Sequence, residues 1–123
     1  MIQTMIYVAL GGALGAVARF VLGHSLLRFA GAGIPLPILC ANVMGSFFMG
    51  LAVVYFGRTG HPAAPFVMTG LLGGFTTFSA FSLEAYTLFE RGAVGPAAAY
   101  VGLSVGASIA ALIAGVTLAR AMV

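Results

Sequence analysis

The chain has 123 residues, of which 62% are hydrophobic and 6% charged, and its formal net charge is +3. Soluble domains carry about 25% charged residues, so this composition excludes an ordinary soluble globule. The basic residues are all scattered arginines, which excludes a phosphate-binding face for nucleic acid. Cys40 is the only cysteine, so no intrachain disulfide or cysteine zinc site can form.

The apolar runs are long enough to cross a bilayer, and the chain reads as one four-helix transmembrane domain, 1–123. The first span covers about 4–27. It has no basic residue before Arg19, so it reads as a retained span rather than a signal peptide. Gly11 and Gly15 form a GxxxG pattern that favours close helix approach. Arg19 is expected to snorkel to the interface, or to concentrate anions at a vestibule. The turn-rich stretch 28–37 leads into a second span at about 36–57, which carries Asn42. A buried amide there needs partners. Its NH₂ suits an anion, and a bond to a neighbouring helix would serve it equally well.

After GRTGHP comes a third run at about 62–90, longer than a straight crossing needs. Its centre, Gly73–Ser82, reads GGFTTFSAFS and is weak helix material. A break is expected at 73–77. Non-helical backbone at membrane depth must be buried in protein or line a cavity, so the patch implies a partner surface. Either it is a close helix crossing through small residues, or its carbonyls hold a small hard cation. Phe75, Phe78 and Phe81 repeat at i, i+3, i+6. They are packing residues, or their ring edges favour an anion. Ser79 and Ser82 form a parallel row. Glu84 and Glu90 fall near the end of the run.

The fourth span, about 95–120, carries Tyr100, Ser104 and Ser108 at i, i+4, i+8. These hydroxyls form one stripe. They either solvate an ion or bond to neighbouring helices and to their own i−4 carbonyls. Gly102 and Gly106 form a second GxxxG. His24 and His61 lie near span ends and do not make a metal site. With no Asp or Lys in the chain and both glutamates near one end of one helix, no catalytic set forms.

Arginine bias between the two sides is weak, with Arg58 and Arg120 against Arg28 and Arg91, joined by Arg19 if it reaches that interface, so the positive-inside rule does not set one orientation. The expectation is dual topology, with opposite copies pairing as an antiparallel homodimer. In that pair two broken third spans would meet near the midplane, and their opposed carbonyls would need a cation between them.

Three stretches carry a family resemblance over nearly the whole chain: GGALGAVARF, CANVMG and GLLGGFTTFSAFSLE. They resemble the first-helix, second-helix and third-helix signatures of the CrcB/Fluc family of fluoride ion channels. The resemblance implies a dual-topology homodimer with two fluoride paths and one structural sodium ion at its centre. It implies backbone carbonyls of Gly73 and Thr76 as sodium ligands. It implies Asn42, Phe78 and Phe81 as pore residues, with Tyr100, Ser104 and Ser108 as a hydroxyl track. Arg19 and Glu84 match the family's arginine and glutamate, in a vestibule or a structural role. Donors along the path would also include Thr77 and Ser79. Conduction would be passive, exporting fluoride across the cell inner membrane. The chain departs from the pattern at Pro37–Leu39 and at Ala80. Ile38 and Ala80 each remove a hydroxyl that members often have. Rival classes are a small dual-topology drug/proton antiporter, which lacks its first-span carboxylate here, and a non-transporting membrane scaffold.

Overall fold

A computed structural model describes residues 1–27 and 34–123; the arginine at 28 and most of the predicted first loop lie outside the described residues. The described chain is helical throughout. The helices are α1 (Ile2–Leu26), α2 (Leu36–Thr59), α3 (Pro65–Leu72 continued by Gly73–Phe75), α4 (Phe78–Glu90) and α5 (Val94–Met122). α3 and α4 together make the third membrane-length segment. The four segments have 25, 24, 26 and 29 residues, all apolar. At 1.5 Å per residue each exceeds the roughly 30 Å of a hydrocarbon core.

Local chemistry sets the ends. Pro35 precedes α2 and Pro37 sits in its first turn, where the missing N–H would lack a helical partner anyway. α2 stops at Gly60, whose φ of 61° is left-handed and whose N–H donates to the Phe56 carbonyl. His61 and Thr59 then cap the turn, with His61 Nδ1 accepting from the Ala63 N–H at 3.1 Å; His61 is a loop residue, as its position suggested. α4 closes with Gly92 at φ 83°. There the N–H groups of Gly92 and Ala93 donate to the carbonyls of Phe89 and Leu88, both at 3.0 Å. This paired arrangement satisfies the helix end, and Leu88 and Ala93 pack together beneath it.

Glycines set how the helices meet. An added Cβ on Gly11 or Gly15 would strike the carbonyls of Phe66 or Leu71 on α3, and one on Gly74 would lie 2.6 Å from the Gly12 carbonyl. α1 and α3 therefore run backbone against backbone, as the first GxxxG implies. α2 and α5 meet in the same way, with Gly50 against Leu112 and Gly115 against Phe47. Gly102 and Gly106 have nothing within 4 Å, so the second GxxxG makes no close approach among the described residues. The apolar core lies between α4 and α5, where Phe81, Leu88, Ala97 and Tyr100 are buried and Ile34, Ile38 and Leu39 close one side. Ile38, which takes the place of a hydroxyl, belongs to this core. The outward faces are apolar; on α1 they include Leu10, Leu14, Val17 and Val21.

The third segment bends where the sequence is weakest, but over a shorter stretch than 73–77. Gly73–Phe75 stay helical. Thr76 (φ −84°, ψ 159°) and Thr77 (φ −154°, ψ 121°) are extended. Upstream, Pro65–Leu72 is wound as a wide π-helix, which no local sequence signal announced and for which the contacts supply no single cause.

Candidate functional site

The extended pair Thr76–Thr77 frees backbone groups that a continuous helix would satisfy internally. Asn42, on α2, takes up one residue's worth of them. Its Oδ1 accepts from the Thr77 N–H at 2.7 Å, and its Nδ2 donates to the Thr77 carbonyl at 3.0 Å. The side-chain amide thus replaces a peptide group on both sides of Thr77. One Nδ2 hydrogen remains for another acceptor. Thr77 also caps α4, its Oγ1 accepting from the Ala80 N–H at 3.2 Å and lying 3.3 Å from Ser79 Oγ.

These bonds leave specific carbonyls short of their α-helical donors. The Thr77 N–H that would serve Gly73 goes to Asn42, and the Ala80 N–H that would serve Thr76 goes to the Thr77 hydroxyl. Gly74 is served from α1, since Arg19 Nε donates to its carbonyl at 3.3 Å. Arg19 thus holds the backbone just before the bend, compatible with the structural one of the roles expected of it. The glycine contact between α1 and α3 brings Gly74 within its range.

Beside the bend lies an open cleft of about 340 Å³. α2 contributes Asn42, Gly45, Ser46 and Met49, and the bend contributes Thr76, Thr77, Phe78 and Phe81. α5 contributes Ser104, Val105, Ser108, Ile109 and Leu112. Of the residues singled out from the sequence, Asn42, Thr76, Thr77, Phe78, Phe81, Ser104 and Ser108 line this cleft together. Tyr100 is fully buried under it, with its ring 5.3 Å from Phe81. Ser79 touches the site only through Thr77. Gly73 lies exposed just before the bend, and Glu84 is half-buried on α4 beyond the cleft. The cleft residues that sequence reasoning passed over are Gly45, Ser46, Met49 and the apolar members on α5. Their spacing from Asn42 and Ser104 (i+3, i+4, i+7 and i+1, i+5, i+8) was the available signal.

The phenylalanine row is a pair rather than a triplet. Phe78 and Phe81 meet edge to face, centroids 5.4 Å apart at 63°. Phe75 lies before the bend, so its phase is not theirs. The two rings differ sharply in setting: Phe81 is 8% exposed and Phe78 is 78% exposed.

The hydroxyls divide into two groups. Ser25, Thr59, Thr76, Ser82 and Thr87 each donate to the carbonyl four residues back, at 2.8–3.0 Å. That spends the Ser82 half of the predicted serine row. Tyr100 Oη, Ser104 Oγ and Ser108 Oγ are buried and have no hydrogen-bond partner among the described residues. A buried unpaired hydroxyl costs about 1–3 kcal/mol, so three in one stripe call for a reason. No cluster of His, Cys, Asp or Glu able to hold a metal occurs among the described residues. Any cation at the bend would rest on carbonyl oxygen.

A small four-span membrane protein with a donor-lined, carboxylate-free cleft is the class that this fold and site define. Within that class the chain belongs to the family described as CrcB-like protein, Camphor Resistance (CrcB), whose profile matches residues 6–116. The chain is 56% identical over 120 residues to the fluoride-specific ion channel FluC of Cereibacter sphaeroides, covering 98% of this chain and 97% of that one. It is 57% identical over 122 residues to FluC of Ruegeria sp. strain TM1040, with coverage of 98% and 97%. It is also 61% identical over 101 residues to FluC of Jannaschia sp. strain CCS1, with coverage of 81% and 93%. All three are named as ion channels and none as an enzyme.

Proposed function

We propose that this protein is a passive, fluoride-selective channel that works as an antiparallel pair of copies in the cell inner membrane, with two ion paths and a structural sodium ion at the centre. The observation that carries the reading is the pair of buried, unpartnered hydroxyls on Ser104 and Ser108, which line one cleft together with Asn42, with the Tyr100 hydroxyl buried beneath. Fluoride is a small, strongly hydrated acceptor, and a dry path must replace its water with donors. The Ser104 and Ser108 hydroxyls and the remaining Asn42 hydrogen are donors with no protein acceptor among the described residues. Thr77 and Ser79 add hydroxyls at the head of α4. The ring edges of Phe78 and Phe81 carry partial positive charge and favour an anion over a cation. The absence of carboxylate among the cleft residues means that nothing there repels an anion or relays a proton.

The pairing is supported by what one chain leaves open. Phe78 is 78% exposed although it borders the polar cleft, and Gly73 lies at the surface beside it. A second, inverted copy would cover both. The carbonyls of Gly73 and Thr76, having lost their helical donors, fit a hard cation, and two copies would offer four. Such an ion supplies charge compensation to opposed carbonyls; Asn42 and Arg19 hold the backbone on either side of the bend.

Purified protein in liposomes tests the reading. Fluoride should leave down its gradient without proton coupling, and chloride should not follow. Phe78→Ile or Phe81→Ile should cut fluoride efflux by tenfold or more while leaving an assembled protein, with tenfold corresponding to about 1.4 kcal/mol in the barrier. Proton-coupled movement of organic cations would favour an antiporter, and no flux of any kind would favour a scaffold.

A further inference from the structure

The second-helix motif CANVMG ends in Gly45, which lines the cleft but has no side chain to offer an ion. Gly45 is buried and lies one helical turn beyond Asn42, on the same face of α2. A Cβ built on it would collide with the Cγ2 methyl of Thr76 and come within 3.4 Å of Phe75 Cδ2. The missing side chain is thus a socket for one methyl group of the first extended residue of the bend. Thr76 is fixed from its other side, because its N–H and its Oγ1 both donate to the Leu72 carbonyl, at 3.1 and 3.0 Å. It cannot turn its methyl away without giving up the hydroxyl bond.

We infer that Gly45 is a positioning residue for the conduction path: it sets how deeply α2 seats on the bend, and so holds the Asn42 amide within reach of both backbone groups of Thr77. A methyl at position 45 would wedge α2 away from Thr76. One turn along, the Asn42–Thr77 bonds of 2.7 and 3.0 Å would lengthen, and the donor that Asn42 keeps for the cleft would lose its aim. The same wedge would move the Thr76 carbonyl. The glycine acts through its neighbours and touches no ion itself. The inference rests on the cleft being the fluoride path for its functional consequence, but not for its structural one.

The test is a steric rescue read in two ways. Gly45→Ala should lower fluoride efflux from liposomes by about tenfold or more, the range expected when one methyl overpacks a tight site. It should also speed deuterium exchange of the 76–80 backbone amides. Thr76→Ser removes the Cγ2 methyl and keeps the hydroxyl. In that background Gly45→Ala should change efflux and exchange by less than about twofold, which is the non-additivity expected of directly touching residues. If Gly45→Ala does not fold alone, recovery of a folded protein in the double variant is the expected result. Gly57→Ala, on the same helix with nothing within 4 Å, should match wild type in both readouts. Wild-type efflux and exchange in Gly45→Ala, or an undiminished defect with Ser at position 76, would overturn the inference. If wild-type protein carries no fluoride, the channel reading fails on that result, and the exchange measurements still decide the role of Gly45.

Discussion

Asn42 shows how one side chain can serve both architecture and chemistry. From sequence, a mid-span amide is either a bond between helices or a donor for an ion. Here it binds Thr77 on both its N–H and its carbonyl and still keeps one hydrogen. Interhelical hydrogen bonds in membranes contribute about 0.6 kcal/mol each on average, so Asn42→Ala should cost about 1–2 kcal/mol of thermal or denaturant stability. Asn42→Asp should be worse in both stability and flux: it loses the donor to the Thr77 carbonyl and brings a negative charge into the cleft that we propose carries an anion. Equal behaviour of Ala and Asp in flux and melting assays would contradict this. The serines teach the opposite lesson about legibility. Ser82 and Ser104 look alike in a string of letters, yet Ser82 donates to the Phe78 carbonyl and Ser104 Oγ has no partner among the described residues. Back-bonding is a matter of rotamer and neighbours, which residue type alone does not reveal.

At the scale of the helices, the four spans were legible because length and apolarity suffice for them. The bend was legible because Gly and Thr weaken a helix, but its extent was not. Gly73–Phe75 stay wound and only Thr76 and Thr77 open, with the Asn42 amide replacing the helical partners of Thr77. That shift of phase is also why Phe75 left the aromatic row. The first GxxxG read correctly as a close approach, while its extension to Gly70 and Gly74 on α3 needed the packed helices to appear. Gly74→Ala would drive a methyl into the Gly12 backbone at 2.6 Å, where neither side can yield. Overpacking of this kind costs about 1–3 kcal/mol. The variant should melt at a lower temperature. A melting point at or above wild type would show that α1 and α3 do not sit this closely.

For the whole molecule, the family membership and the cleft converge on transport, while the proposed pairing rests on what one chain leaves exposed. If copies insert both ways, reporters fused to the C-terminus should appear on both faces of the membrane; a single orientation would defeat the antiparallel pair. If carbonyls of Gly73 and Thr76 share a central cation, replacing sodium with a large organic cation should weaken the dimer and lower flux, and an unchanged dimer would argue for a direct packing contact instead. The arginine count could suggest dual insertion but carries no contact information, so the interface was never readable at residue level. The most direct measurement of the central idea pairs fluoride efflux with thermal stability in Ser104→Ala/Ser108→Ala protein. Hydroxyls kept for an ion and unpaired in the fold should, when removed, lower efflux by about tenfold or more and leave melting unchanged or raised. Wild-type efflux, or a clear loss of stability, would mean that these hydroxyls hold helices together and line no anion path.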